Sequence, residues 1–240
     1  MTSTQGHDVL GEIAGIGMIP VLSVAEKAWA RPLADALEAG GLPLMEVMFR
    51  TAAAAEVIGT IARECPDFLV GAGTVLSVEQ ARQAVDCGAR FLVAPGFNPR
   101  VAAWAVEKGV PYVPGTVTPT EVEAARELGL NVLKYFPAVQ MGGVPGMRLL
   151  SGPYPDVRWV PTGDLTRDLA REYLGFEKVA AAGGDFMLSY ADIHACRWEN
   201  ITHSTAATLS EYFAFSAEPG SVVFPAELTA ACGLPEGAAG

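Results

Sequence analysis

A lysine stands in the middle of an apolar run, Val132-Leu133-Lys134-Tyr135-Phe136. Interior strand positions are ordinarily filled by Val, Ile or Leu, and an unpaired buried ammonium is costly. Two readings of Lys134 stand side by side. In one it points outward between helices or closes a structural ion pair. In the other it is desolvated inside the fold, with its pKa lowered so that the free amine can attack a carbonyl. Glu46 and Arg50, in Leu44-Met45-Glu46-Val47-Met48-Phe49-Arg50, favour the second. Along a strand, side chains alternate faces, so Glu46, Met48 and Arg50 are expected to point the same way, with Glu46 deeper. Attack on a 2-oxo acid needs both a proton shuttle and a cation for the carboxylate.

These residues must be held by a repeating scaffold. Short apolar runs alternate with Ala-rich amphipathic stretches about every 20 to 25 residues, the rhythm of βα units. Strands are expected over 18–23, 43–49, 68–73, 90–96, 111–116, 131–137, 157–163 and 178–184. Helices are expected over Glu26–Ala39, Ala52–Glu64, Val78–Cys87, Arg100–Lys108 and Thr120–Leu128, with a short helix, Leu10–Ile16, ahead of the first strand. Ser77 and Thr118-Pro119 look like helix starts. Eight such units predict a compact (β/α)₈ TIM barrel; a doubly wound open sheet is the structural alternative. The expected organisation is one barrel over residues 1–216 and a Pro-, Gly- and Ala-rich C-terminal extension over 217–240.

Composition narrows the function classes. The 240 residues suffice for a real core, and a net charge of -11 argues against nucleic acid, which is bound by clustered Lys and Arg. Small anionic substrates need only a few local cations. No run approaches the roughly 18 apolar residues of a membrane span. The N-terminus lacks a basic flank followed by an apolar run, so no export signal is expected and the cytoplasm is the expected location. Cys65, Cys87, Cys196 and Cys232 form no CxxC pair and read as free thiols, mostly buried.

LMEVMFRT, VGAGTVLS, VAPGFNP, YVPGTVTPTE, LKYFPAV and VPTGDL resemble, in order, the motifs of the 2-keto-3-deoxy-6-phosphogluconate / 4-hydroxy-2-oxoglutarate aldolase family. Each string is weak alone; their order and spacing are specific, and they run from about Ile16 to about His203. The resemblance implies a (β/α)₈ class I aldolase, homotrimeric, with no metal and no cofactor, acting on a small 2-oxo acid and an aldehyde. It implies that Lys134 forms the Schiff base, Glu46 is the general acid/base and Arg50 binds the pyruvate carboxylate. Thr74 would offer a hydroxyl, Pro95 and Phe136 would shape the walls, and Thr162 would touch the rest of the substrate. The chemistry is consistent: a protonated imine on the 2-oxo carbon is the electron sink that aldol cleavage requires, turning a carbanion into an enamine.

Two loops depart from the family pattern. P-T-G-G-I is here Pro161-Thr162-Gly163-Asp164-Leu165, and G-G-S is here Gly183-Gly184-Asp185. In phosphate-using members these loops hold the substrate phosphate, a place where backbone N–H groups and a helix dipole favour an anion. Each Asp reads either as a helix N-cap or as a hydroxyl acceptor for an aldehyde half that carries no phosphate. Other features carry less. His194, Cys196 and His203 fit no standard zinc spacing and lie in what reads as a surface helix. Asn200-Ile201-Thr202 is formally a glycosylation sequon. Trp29, Trp104, Trp159 and Trp198 read as packing, and Arg148 as an anion contact or a surface residue. Two other function classes fit the rhythm: a phosphate-binding barrel isomerase or synthase, which does not need Lys134 beside Glu46 and Arg50, and a non-catalytic sugar-acid binding barrel.

Overall fold

A computed structural model describes residues 8–216; Cys232 and the extension from Ala217 onward lie outside the described residues. The strands are β1 (Met18–Leu22), β2 (Leu44–Met48), β3 (Leu69–Gly73), β4 (Leu92–Val93), β5 (Tyr112–Val113), β6 (Gly115–Thr116), β7 (Val132–Tyr135), β8 (Arg158–Pro161) and β9 (Ala182–Gly184). Every expected strand is present, each shorter than its apolar run. The run over 111–116 is divided into β5 and β6 at Pro114, which has no N–H to give to a ladder. Its carbonyl still accepts from the Lys134 N–H at 2.8 Å, tying β7 to the break.

All pairings are parallel, as crossover helices require. One sheet runs β5-β4-β3-β2-β1-β9 and the other β6-β7-β8. Parallel bridges Trp159↔Val179 and Thr162↔Gly183 link β8 to the chain around β9. Strands β1 to β5 therefore stand side by side in sequence order, without the reversal of a doubly wound sheet. The fold is α/β, with a curled parallel sheet and helices between successive strands except β5 and β6.

Helix starts follow local chemistry. The Ser77 side chain accepts from the Gln80 N–H at the head of α4 (Val78–Asp86), numbering from α1 (Val9–Ile16), α2 (Ala30–Ala39) and α3 (Ala54–Glu64). Asn98 caps α5 (Pro99–Lys108), and Thr118 with Glu121 forms a full capping box on α6 (Pro119–Glu127). The expected helix from Glu26 is instead a 3₁₀ turn over Lys27–Trp29 followed by α2. Pro32 is tolerated there because first-turn positions have no intrahelical acceptor for an N–H.

The later helices are α7 (Gly143–Ser151), α8 (Arg167–Leu174), α9 (Tyr190–His194) and α10 (Trp198–Ser216). The segment read as one surface helix around His194 is thus two helices, broken at Cys196 with φ 53°. Ile193 and Ile201, on either side of the break, are buried in the core. The cysteines also differ from expectation: Cys65 is buried, Cys87 half-buried and Cys196 exposed.

Strand alternation sorts the core. Leu44, Leu69, Phe91 and Val93 fall in one cluster, while Met45, Val47, Val70, Ala72, Leu92 and Ala94 pack against Leu33, Val57 and Ala81 of the helices. Glu46 lies two residues on from Leu44 and so shares its face, away from the helices. A hydrophobic layer therefore stands beneath and around the polar residues at the carboxyl ends of the strands.

Candidate active site

Lys134 and Glu46 meet inside the curl. β7 supplies the lysine and β2 the carboxylate, and both side chains are buried with their charged ends 3.8 Å apart. That spacing is an ion-pair contact and too long for a hydrogen bond. Among the described residues Glu46 Oε1 has no hydrogen-bond partner. Burial pushes the Glu46 carboxyl well above the usual carboxylate range, although the positive charges of Lys134 and Arg50 oppose it. Burial likewise pulls Lys134 below the usual lysine range; Glu46 resists the shift and Arg50 adds to it. Both groups are driven toward their neutral forms, which for the amine is the nucleophilic one.

Space for this pair comes from glycine. A Cβ on Gly73 would stand 1.9 Å from Glu46 Oε1, so only glycine lets the carboxylate cross the end of β3. Gly115, in register with Lys134 across β6 and β7, lies so close to the Pro95 carbonyl that a Cβ would meet it at 2.1 Å. Pro95 is thereby drawn to the same end of the curl. The Lys134 ammonium stands 5.2 Å from the Phe136 ring centroid, where the π face favours a cation. Two residues apart in one extended run, Lys134 and Phe136 fall on the same face, and the two meet.

Arg50 reaches the region differently from expectation. β2 ends at Met48, and Arg50 lies two residues beyond in an exposed turn. Its Nε–H donates to Thr74 Oγ1 at 3.2 Å. Thr74 has φ 56°, a left-handed backbone rare for a threonine, directly after Gly73. The turns after β2 and β3 thus bring a guanidinium and a hydroxyl together at the strand ends.

On the opposite side, Thr162 and Gly183 are bridged across β8 and β9, and a Cβ at Gly183 would lie 2.7 Å from Thr162 Oγ1. Gly163, at φ 109°, packs so near Phe136 that its Cβ would contact the ring at 3.3 Å. Neither aspartate is a helix cap. Thr166 caps α8 through its hydroxyl, and Ser189 caps α9. Asp164 instead holds a left-handed φ of 52° and accepts from Gln140 Nε2 at 2.5 Å. Asp185 is exposed beside Gly184.

Sequence reasoning missed Gly73, Gly115 and Gln140. A glycine inside an apolar strand run marks a close approach, and that signal was present at Gly73 and Gly115. No sequence signal distinguishes Gln140, which acts through a loop contact. Among the weaker candidates, His194 packs edge-on against Trp29 at 5.2 Å. Arg148 lies over the Phe176 ring at 4.4 Å, and Trp159 is fully buried.

A buried lysine beside a carboxyl, with an arginine and hydroxyls at one mouth, can form an imine with a 2-oxo acid and move protons around it. Comparison with known proteins points the same way. The family model of KDPG and KHG aldolase matches residues 12–204. The chain is 46% identical over 194 residues to a 2-dehydro-3-deoxy-phosphogluconate aldolase of Treponema pallidum, covering 81% of this chain and 92% of that one. It is 36% identical over 185 residues to the KHG/KDPG aldolase of Escherichia coli, covering 77% and 87%. Its fold matches a crystal structure of KDPG aldolase from Legionella pneumophila with pyruvate captured as a covalent carbinolamine, at a TM-score of 0.80 and 34% identity, covering 83% and 97%.

Proposed function

The chain belongs to the KDPG and KHG aldolase family, and from that premise we infer that Lys134 is its Schiff-base nucleophile. It is a class I aldolase that cleaves a 2-keto-3-deoxy sugar acid or 4-hydroxy-2-oxo acid to pyruvate and an aldehyde. The observation that carries the assignment is the buried amine of Lys134, 3.8 Å from the Glu46 carboxyl on a strand otherwise apolar.

Each side chain then has a role. The neutral Lys134 amine attacks the 2-oxo carbon, and Glu46, held protonated by burial, gives its proton to the departing hydroxyl, so that water leaves and an iminium forms. The resulting Glu46 carboxylate takes the proton of the C4 hydroxyl as the C3–C4 bond breaks. The bonding pair flows into the iminium, an aldehyde departs and an enamine remains. Glu46 returns the proton to C3, and hydrolysis frees pyruvate and Lys134. Arg50 binds the substrate carboxylate through its planar fork, with Thr74 adding a hydroxyl. Pro95 and Phe136 wall the pocket, and Thr162, Gly163, Gly183 and Gly184 line the side that receives the aldehyde half. Asp164 and Asp185 favour an aldehyde half without a phosphate.

The sequential strand order and the bridges from β8 to the chain around β9 support closure into a full (β/α)₈ barrel. The working unit is a homotrimer of single-domain barrels, 1–216, in the cytoplasm; among the described residues no helix is long and apolar enough to cross a membrane. The test is pyruvate release, read by coupling to lactate dehydrogenase. Release from 2-keto-3-deoxygluconate or 4-hydroxy-2-oxoglutarate is expected. A folded chain that releases pyruvate from neither, nor from the 6-phosphorylated sugar acid, would overturn the reading.

A further inference from the structure

Beyond the imine chemistry, one polar pair joins two loops at the carboxyl ends of the strands. Gln140 lies in the loop after β7, the strand of Lys134, and Asp164 in the loop after β8. Both side chains are exposed, and they are joined by the 2.5 Å bond from Gln140 Nε2 to Asp164 Oδ2. A line of contacts connects them to the amine: Lys134 faces the Phe136 ring, that ring packs on Gly163, and Gly163 precedes Asp164. Asp164 holds a left-handed conformation that an L residue rarely adopts, and its exposed carboxylate is held by Gln140.

We propose that Gln140 and Asp164 act as one hydrogen-bonding unit that reads the hydroxyls of the aldehyde half and makes the enzyme selective for aldehydes without a phosphate. This rests on the aldolase reading above and deepens it. With one amide N–H committed to Asp164, the unit still offers one N–H donor, the amide oxygen and the second carboxylate oxygen. A donor beside two acceptors matches a pair of hydroxyls, each of which both gives and receives. A phosphate dianion offers acceptors only and would face a carboxylate.

Among the described residues Asp164 has no ion-pair partner. The arginine nearest in sequence, Arg167, is engaged by Glu211 at 3.5 Å, by Ser204 Oγ at 2.9 Å and by the Phe186 carbonyl at 3.5 Å. The arginine aligned with the substrate carboxylate, Arg50, is bound to Thr74 on the turns after β2 and β3.

The experiment compares condensation of pyruvate with D-glyceraldehyde and with D-glyceraldehyde 3-phosphate, by kcat/KM, in the unaltered chain, Asp164→Gly and Gln140→Ala. The unaltered chain should prefer glyceraldehyde by at least about tenfold, the effect of a hydrogen bond to a charged group. Asp164→Gly, whose backbone accepts φ 52° freely, should shift the ratio toward the phosphorylated aldehyde by about tenfold or more. Gln140→Ala should raise KM for glyceraldehyde more than it lowers kcat. A preference for the phosphorylated aldehyde in the unaltered chain, or a ratio that Asp164→Gly does not move, overturns the inference. Borohydride trapping of pyruvate by the unaltered chain separates the two readings: an adduct alongside the wrong preference sinks only the selectivity, whereas no adduct sinks the lysine chemistry with it.

Discussion

Lys134 Nζ and Glu46 Oε1 stand 3.8 Å apart in a pocket that drives both toward neutrality, so the charge of each depends on the other. Imine formation needs the free amine and is therefore lost as pH falls through the lowered value of Lys134. The carboxylate of Glu46 raises that value. Glu46→Gln should consequently move the acid limb of pyruvate trapping to lower pH while slowing turnover. A limb that stays in place or moves upward, measured as trapping rate against pH, would show that the carboxylate does not raise the amine's value.

Removing the buried amine should exchange activity for stability. Lys134 is depressed in the folded chain, so folding is penalised as pH drops below the lysine value of the unfolded chain, about 10.4. Lys134→Met removes the buried amine and should abolish cleavage yet raise stability at neutral pH, because Glu46 is held protonated by burial and no unpaired charge is left behind. The gain should shrink as pH rises through about 10.4, above which lysine is neutral in both states. Denaturant melts at two pH values check both the sign and the window.

Gly73 makes room for Glu46, since a Cβ there would stand 1.9 Å from the carboxylate. Gly73→Ala should push the carboxyl aside by about 1 Å and reduce kcat by roughly a hundredfold. Gly129→Ala is a useful control, because its Cβ meets nothing within 4 Å although its φ is 77°. That variant should melt earlier without the specific fall in kcat.

Much of this was legible in the sequence because it rests on local rules. Lys134 declared itself as a charge in an apolar run, and strand alternation set Glu46 deeper in β2 than Arg50. The capping signals at Ser77 and Thr118 worked for the same reason. Alternation failed at Arg50, because β2 had already ended and a turn, not the strand, aims the guanidinium at Thr74. Local rules left Asp164 open between a cap and a hydroxyl acceptor, and the cap reading falls because Thr166, two residues later, caps α8. Its true partner, Gln140, is 24 residues away and meets it only because β7 and β8 are adjacent. The division at Pro114 follows from proline's missing N–H, yet the ladder it interrupts could be seen only once the neighbours were placed.

The central claim is that Lys134 is the nucleophile, and borohydride trapping with pyruvate tests it most directly. The account predicts a stable mass gain that maps to the peptide carrying Lys134 and is absent in Lys134→Ala. A folded chain that shows no gain at millimolar pyruvate, or an adduct that persists in Lys134→Ala, would contradict it.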